Sequence, residues 1–374
     1  MGRIDVLSVL YHERLVGRMA LYKKSVAAFE YDRGWVQDGF ALNPFSLPLQ
    51  QEVFFPAYDP FGGLFGVFAD SLPDGWGRLL VDRLLGKHQI NPLEIGEIER
   101  LAIVGSSGMG ALTYQPETKL SQVETGLDLD QIAVACGEIL NAEPTTALDE
   151  LFELGGSSGG ARPKILTKIN GEDWLIKFPS SYDQSDIGKR EYQYSLCAKS
   201  CGLPMEETRL FPSRIGAGYF GTRRFDRRKG DEGEIVRIHM VSVGGMLETS
   251  HRLPALDYNI LMRLTLELTK DFAEVEKMYR MMCFNVFAHN RDDHAKNFSF
   301  LYDEEAGGWR LAPAYDLTYS FSLGGEHATS VNGNGRNPGL LDLLQVGENI
   351  GIKTGKAKKI AEEIRDVVAD FQLF

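Results

Sequence analysis

The chain is poor in the features that would place it quickly. Four of its 374 residues are cysteine (Cys136, Cys197, Cys201 and Cys283), and no two form a Cys-x-x-Cys pair. A disulfide framework and a zinc ribbon are therefore both excluded. Cys197 and Cys201 stand one helical turn apart in an apolar stretch and read as packing. No apolar run approaches the length of a membrane span. The start, Met-Gly-Arg-Ile-Asp, lacks the apolar core of a signal peptide, and Val6 breaks the myristoylation pattern that Gly2 would open. A reducing cytoplasm is the expected location. Excess positive charge is absent too: the net charge of −12 argues against independent nucleic-acid binding, although Arg223-Arg224 and Arg227-Arg228-Lys229 form a local basic patch. The remaining histidines (His12, His88, His239, His251, His327) show no metal-ligand spacing. No Gly-Lys-Ser/Thr follows a glycine loop, so there is no Walker A motif, and neither the Gly105–Gly110 stretch nor the Gly155–Lys164 loop has the G-x-G-x-x-G spacing.

What the chain does have is one organised polar stretch, His289-Asn290-Arg291-Asp292-Asp293-His294-Ala295-Lys296-Asn297. Phe272, Val275, Tyr279, Met282, Cys283, Val286 and Phe287 precede it on one helical face. A strand from Asn297 to Tyr302, a turn and a return over Trp309 to Ala312 follow, then Tyr315-Asp316. Asp292 and Asn297 have the spacing of Asp and Asn in a protein-kinase catalytic loop, and Asp316 then stands where a second metal-binding carboxylate belongs. Phosphoryl transfer needs such a set: a base for the hydroxyl proton, and an amide oxygen and carboxylate for Mg²⁺. Asp316 serves equally well as an N-cap for a helix over Leu317-Thr318-Tyr319.

The rest of the chain supplies a matching order. The first thirty residues read as an antiparallel meander: Asp5 to Tyr11, Leu15 to Tyr22 and Ser25 to Tyr31. Ser71-Leu72-Pro73-Asp74 begins a helix, and a second helix is expected from about Pro92 to Leu101. Gly105-Ser106-Ser107-Gly108-Met109-Gly110 is a tight turn, because a strand and not a helix follows it. Leu129 to Leu140 is helical. Gly155 to Lys164 is a glycine–serine loop. Ile165 to Ile169 and Asp173 to Phe178 form a hairpin about Asn170-Gly171, with Lys177 near its end. Lys189 to Cys201 is a helix with Glu191 in its first turn, where it either steadies Lys177 or complements the helix dipole. Gly218 to Phe225 and Glu234 to Val243 are strands, the second ending in a hinge at Val241-Ser242-Val243-Gly244-Gly245. A terminal helix spans roughly Gly355 to Asp370, the one clear helix after the segment Gly324 to Pro338. Glycines let backbone N–H groups approach phosphates, and a strand lysine can reach them. The expected fold is α+β: a protein-kinase-like bilobal fold preceded by a small β-rich N-terminal subdomain. Its expected parts are an N-terminal subdomain (1–117), a small lobe with the ATP loop (118–245) and a helical large lobe with the catalytic loop (246–374).

Across nearly its whole length the sequence resembles the HipA family of serine/threonine kinases, the toxins of bacterial toxin–antitoxin pairs. The likeness rests on Ser46-Leu47-Pro48-Leu49, Phe68-Ala69-Asp70-Ser71-Leu72-Pro73-Asp74-Gly75-Trp76 and Gly110-Ala111-Leu112. It continues in Ser157-x-Gly-Gly-Ala-x-x-Lys164, Ile176-Lys177, Arg224-Phe225-Asp226-Arg227, Asp292-x-His-Ala-Lys-Asn297 and Tyr315-Asp316. The resemblance implies Asp292 as catalytic base, Asn297 and Asp316 as Mg²⁺ ligands, and Lys177 on the ATP phosphates. It also implies Gly159, Gly160, Ala161, Arg162, Pro163 and Lys164 lining the nucleotide, with His294, Lys296, Asn297 and Tyr315 closing the site and Val241 and Val243 at the hinge. Ser157 matches the family's autophosphorylated serine; Ser158 beside it leaves either or both open. A phosphoserine there would repel ATP phosphates and switch the enzyme off. Implied partners are a helix-turn-helix antitoxin of the HipB type, DNA through that antitoxin, and a protein substrate such as an aminoacyl-tRNA synthetase. Asp293 departs from the small residue often found after the catalytic Asp and is expected to face solvent. The alternatives are an ATP-binding corepressor without turnover, a small-molecule kinase of related fold, and a metal-dependent hydrolase using His289, Asp292, Asp293 and His294.

Overall fold

A computed structural model describes residues 4–23, 26–121, 123, 126–230, 232–250, 252, 255–321 and 323–373. Gly2, His251 and the expected strand start at Ser25 lie outside the described residues. The chain forms two compact units, one of Met1–Gly188, Leu210–Val241 and Gly245–Thr249, the other of Lys189–Arg209, Ser242–Gly244 and Ser250–Phe374.

The first unit opens with the expected meander. Strands β1 (Val6–Tyr11), β2 (Arg14–Tyr22) and β3 (Val26–Tyr31) pair antiparallel. The first turn is only His12-Glu13, both left-handed. β4 (Val53–Phe54) and β5 (Leu112–Gln115) complete a sheet of order β4-β3-β2-β1-β5. Helices α1 (Arg33–Asp38), α2 (Gly66–Ala69) and α3 (Gly75–Lys87) follow in chain order. The helix expected over Pro92–Leu101 is instead a 3-10 turn at Pro92–Glu94 and α4 (Glu97–Val104). Ile95 and Gly96 adopt extended backbone between them, and glycine is a weak helix former.

α5 (Leu129–Leu140) starts in a capping box between Asp128 and Gln131, which explains its legibility. α6 (Leu148–Gly155), unforeseen in the sequence, leads into the glycine–serine loop. β6 (Lys164–Ile169) and β7 (Glu172–Lys177) form the hairpin about Asn170-Gly171, in a sheet of order β6-β7-β9-β8. In that order β8 is Thr208–Phe211 and β9 is Tyr219–Arg223. Trp76 and Leu80 of α3 share one core with Ile132, Cys136 and Ile139 of α5, Leu151 of α6, and Ile165 and Ile176 of the hairpin. Each such buried aliphatic contributes about 1.5–3 kcal/mol, so α3 and the hairpin are held together. The strand expected over Glu234–Val243 is broken: β10 (Arg227–Lys229) pairs with β11 (Ile235–Arg237), and β12 (Met240–Ser242) is separate.

His239 lies at that break. Its ring is buried, 5.4 Å from Phe40, and Nε2–H donates to the Leu42 carbonyl at 3.0 Å. Burial pushes its pKa down to about 4, against the smaller raising effect of the Leu42 bond. A base whose folded pKa lies below its unfolded value loses stability as pH falls between the two. Unit one should therefore weaken by about 1.4 kcal/mol per pH unit from about 6.5 to about 4. His239→Gln, whose amide can still donate to Leu42, should flatten that slope in urea titrations; identical slopes would refute the assignment.

The second unit is mostly helical. α7 (Ile187–Ser200) begins two residues earlier than expected, so Glu191 falls in its second turn and is buried, not at the dipole end. After α8 (Val243–Met246), the short β13 (Leu256–Asp257) leads to α9 (Tyr258–Thr269) and α10 (Phe272–Phe287), each N-capped by an aspartate, Asp257 or Asp271. The interior-facing residues of α10 from Val275 to Val286 are buried as their spacing implies, while Phe272 at its start is partly exposed. β14 (Ser299–Asp303) and β15 (Gly308–Leu311) form the hairpin after the polar loop, and β16 (Thr329–Ser330) pairs parallel with β13. Two helices, α11 (Leu340–Ile350) and α12 (Thr354–Phe371), close the chain where one was expected. Gly351, in the left-handed region, ends the first of them.

Candidate active site

In unit one the candidate residues gather at the open end of the β6–β7 hairpin. Lys164 and Lys177 are directly paired across the strands, and both are buried, at 7% and 8% exposure. Like charges opposite each other on a sheet destabilise it, and a buried ammonium demands compensation. The Nζ of Lys164 lies beside Gly160, close enough that a Cβ there would meet it at 2.6 Å. Lys177 Nζ is 5.7 Å from the Phe220 ring centroid. Two cations are thus concentrated beside a glycine loop, which suits a polyanion. Arg162, in contrast, forks onto Asp183, with Nε at 3.2 and 3.1 Å and Nη2 at 3.0 Å. Pro163 uses its carbonyl to accept the Phe178 N–H.

The two serines of the loop differ sharply. Ser158 is buried, and its hydroxyl donates to the Gly155 carbonyl at 2.6 Å. Ser157 is half-exposed, donates to the Ser107 carbonyl at 2.9 Å, and lines a cavity of about 270 Å³ with Ser106, Lys119 and Glu153. Nearby, Asp226 is fully buried between Arg224 and Arg227 and also accepts the Gly110 N–H at 2.7 Å. The Gly105–Gly110 turn is held by Arg227, which donates to the Gly110 carbonyl at 3.0 Å, and by Arg237, which donates to the carbonyls of Ser106, Gly108 and Gly110. Val241 is buried in this unit.

Unit two carries the catalytic-loop candidates. The Asp292 side chain is 60% exposed. Its backbone carbonyl accepts from Asn297 Nδ2 at 2.5 Å, so the amide oxygen of Asn297 is the end left for a cation. His294 Nδ1 accepts the Lys296 N–H, which places its proton on Nε2, 3.8 Å from Asp292 Oδ1. Tyr315 donates to the Lys296 carbonyl at 2.7 Å and meets Ser299 at 2.6 Å, tying the end of the loop to the hairpin. Asp316 is left-handed, with φ at 56°. Residues 317–321 form no helix, which removes the N-cap reading. The Val243 N–H is committed to the Phe298 carbonyl at 2.8 Å.

Asp293 corrects the expectation of a solvent-facing carboxylate. It is fully buried, and its Oδ2 accepts from Tyr258 at 2.8 Å and His327 Nδ1 at 2.9 Å. Its Oδ1 accepts the Thr329 N–H at 3.2 Å, and its carbonyl accepts the Thr329 hydroxyl. With Asp293 anchored inside, its neighbour Asp292 faces outward. This also separates Asp293 from any ligand set with Asp292. Tyr258, His327 and Thr329 carried no sequence signal, because the loop they brace lies some 35 residues away from each of them. Among the described residues, no helix is long and apolar enough to cross a membrane.

A β-rich unit with a glycine loop and paired lysines, and a helical unit with Asp, Asn and Asp in catalytic-loop order, define a kinase-like α+β fold with an N-terminal β subdomain. The chain belongs to the HipA family: the HipA N-terminal domain matches residues 7–115 and the HipA-like C-terminal domain matches residues 156–371. Two Sinorhizobium fredii proteins are similar. "Putative kinase Y4mE" is 28% identical over 84% of this chain and 77% of its own, and "Putative kinase Y4dM" is 23% identical over 89% and 81%. Among solved structures, HipA from the Shewanella oneidensis toxin–antitoxin complex of HipA, HipB and operator DNA shares the fold. Its TM-score is 0.69 and its identity 19%, covering 98% of this chain and 90% of that one.

Proposed function

We propose that this protein is a Mg²⁺- and ATP-dependent serine/threonine protein kinase, the toxin of a toxin–antitoxin pair, that silences itself by phosphorylating Ser157. The observation that carries the reading is the buried Lys164–Lys177 pair beside the glycine loop, which concentrates positive charge where a polyanion would sit. On this reading the loop from Gly159 to Lys164, with Lys177, binds the triphosphate, and Glu191 supports that lysine. Val241 and Val243 lie toward the adenine, while His294, Lys296 and Tyr315 shape the loop around the phosphates. Asn297 and Asp316 supply the oxygen ligands that suit Mg²⁺. A cation held there would offset charge on the phosphates. Asp292 accepts the proton of the acceptor hydroxyl as the new O–P bond forms and the bond from the γ-phosphorus to the bridging oxygen breaks; ADP leaves with that oxygen.

The exposure of Ser157, against the burial of Ser158, favours Ser157 as the modified residue. Membership of the HipA family favours a HipB-type helix-turn-helix antitoxin as partner, DNA contact through it, and a translation component such as an aminoacyl-tRNA synthetase as substrate. The deciding experiment is mass spectrometry after incubation with Mg²⁺, ATP and cell lysate. A phosphorylated Ser157 peptide and one dominant foreign phosphopeptide are expected. Nucleotide binding without any phosphopeptide would instead identify an ATP-binding corepressor, and a phosphorylated metabolite a small-molecule kinase.

A further inference from the structure

The first turn of α3 holds a loop that lies more than 80 residues further along the chain. Asp74 occupies the N-cap position but makes no capping bond to its own helix. Its Oδ1 accepts the N–H of Gly160 instead. The Trp76 N–H, one of the donors a helix start leaves unsatisfied, donates to the Gly160 carbonyl at 2.9 Å. Both backbone polar groups of Gly160 are therefore held by this turn, and Trp76 Nε1 adds a bond to the Lys164 carbonyl at 3.2 Å. The approach is so close that a Cβ on Gly75 would strike the Gly160 carbonyl, and one on Gly77 the Ser158 carbonyl. Gly160 itself has φ at 85°, where a side chain is strained. At the other end of the loop, Ser157 is tied to the Ser107 carbonyl. The N-terminal part of unit one thus grips the glycine loop at two points.

We propose that Asp74 is a positioning residue for the nucleotide loop, through which the N-terminal region sets the affinity for ATP. The inference rests on the reading of Gly159–Lys164 as the phosphate-binding loop. Fixing a residue's backbone carries an entropic cost. A loop already fixed by α3 spares the nucleotide that cost, as preorganisation does generally. Nothing in this role touches the transferred phosphoryl group, so its loss should appear in binding and not in the chemical step.

The test compares wild type with Asp74→Ala and Asp74→Asn by hydrogen exchange, by calorimetry with ATP, and by steady-state kinetics. In Asp74→Ala, exchange of the peptide over residues 156–162 should accelerate at least about tenfold, and the ATP KM and Kd should rise about tenfold, with kcat changed less than about threefold. Exchange of β6 and β7 should stay as in wild type. Asp74→Asn, which keeps an accepting oxygen, should fall between the two and serves if the alanine variant unfolds. Arg78→Ala, one turn along α3, should leave the loop as it is. Wild-type ATP affinity in Asp74→Ala, or an unchanged loop exchange rate, would overturn the proposal. Absence of ATP binding by wild type would instead overturn the kinase reading beneath it.

Discussion

Replacing Asp292 with asparagine should lower phosphoryl transfer by about 10²–10⁴-fold while leaving ATP bound, because general-base contributions have that size. The amide oxygen can still accept a hydrogen bond, but it cannot take the proton that the acceptor hydroxyl must lose. The Asp292 side chain is largely exposed, so the melting temperature should change little. Its neighbour should behave in the opposite way. Asp293→Asn replaces an acceptor of three bonds, from Tyr258, His327 and Thr329, with an amide whose NH₂ faces donors. It should cost about 1–3 kcal/mol of stability and lower activity only through the displaced loop. Single-turnover rates paired with thermal denaturation separate the two carboxylates. Equal loss of stability in both variants, with turnover retained in Asp292→Asn, would remove Asp292 from the base role.

The contrast between these adjacent residues shows where sequence reasoning reaches and where it stops. Asp292 and Asn297 were legible because their spacing is set by local backbone chemistry, a short loop leading into a strand. The hairpin of β6 and β7 was legible for the same reason. Once Asn170-Gly171 is the two-residue turn, Lys164 and Lys177 are each the sixth residue outward, and their pairing follows. Asp293 was misread because its three partners come from remote segments, and a polar residue in a polar loop carries no mark of burial. Asp74 was recognised as a helix start, yet the same oxygen that caps a helix can hold another loop, and only coordinates distinguish the two uses. The break of the Glu234–Val243 strand was hidden likewise: its alternation was sound, but β12 belongs to a different sheet from β10 and β11, and nothing local in the sequence marks that change.

The buried arginine–aspartate cluster carries the largest expected stability effect. Burial alone would raise the pKa of Asp226, but the Arg224 and Arg227 guanidiniums and the Gly110 N–H outweigh it, and the carboxyl stays ionised well below the usual carboxylate range. Asp226→Ala leaves two guanidiniums in the interior without the carboxylate they share, a change that typically costs about 3–5 kcal/mol. Asp226→Leu combined with Arg224→Met, which removes the carboxylate and one of the two guanidiniums it serves, should recover part of that loss, since a buried ion pair often adds little over an apolar pair of similar volume. Urea titration monitored by tryptophan fluorescence reports mainly on this unit, where Trp35, Trp76 and Trp174 lie. A loss below about 1 kcal/mol in Asp226→Ala would mean that water compensates the arginines. Because Arg227 and Arg237 hold the Gly105–Gly110 turn, and Ser107 in that turn holds Ser157, a milder variant such as Asp226→Asn should also loosen the glycine loop. Its effect on exchange over residues 156–162 should then be less than additive with that of Asp74→Asn, as expected of two grips on one segment.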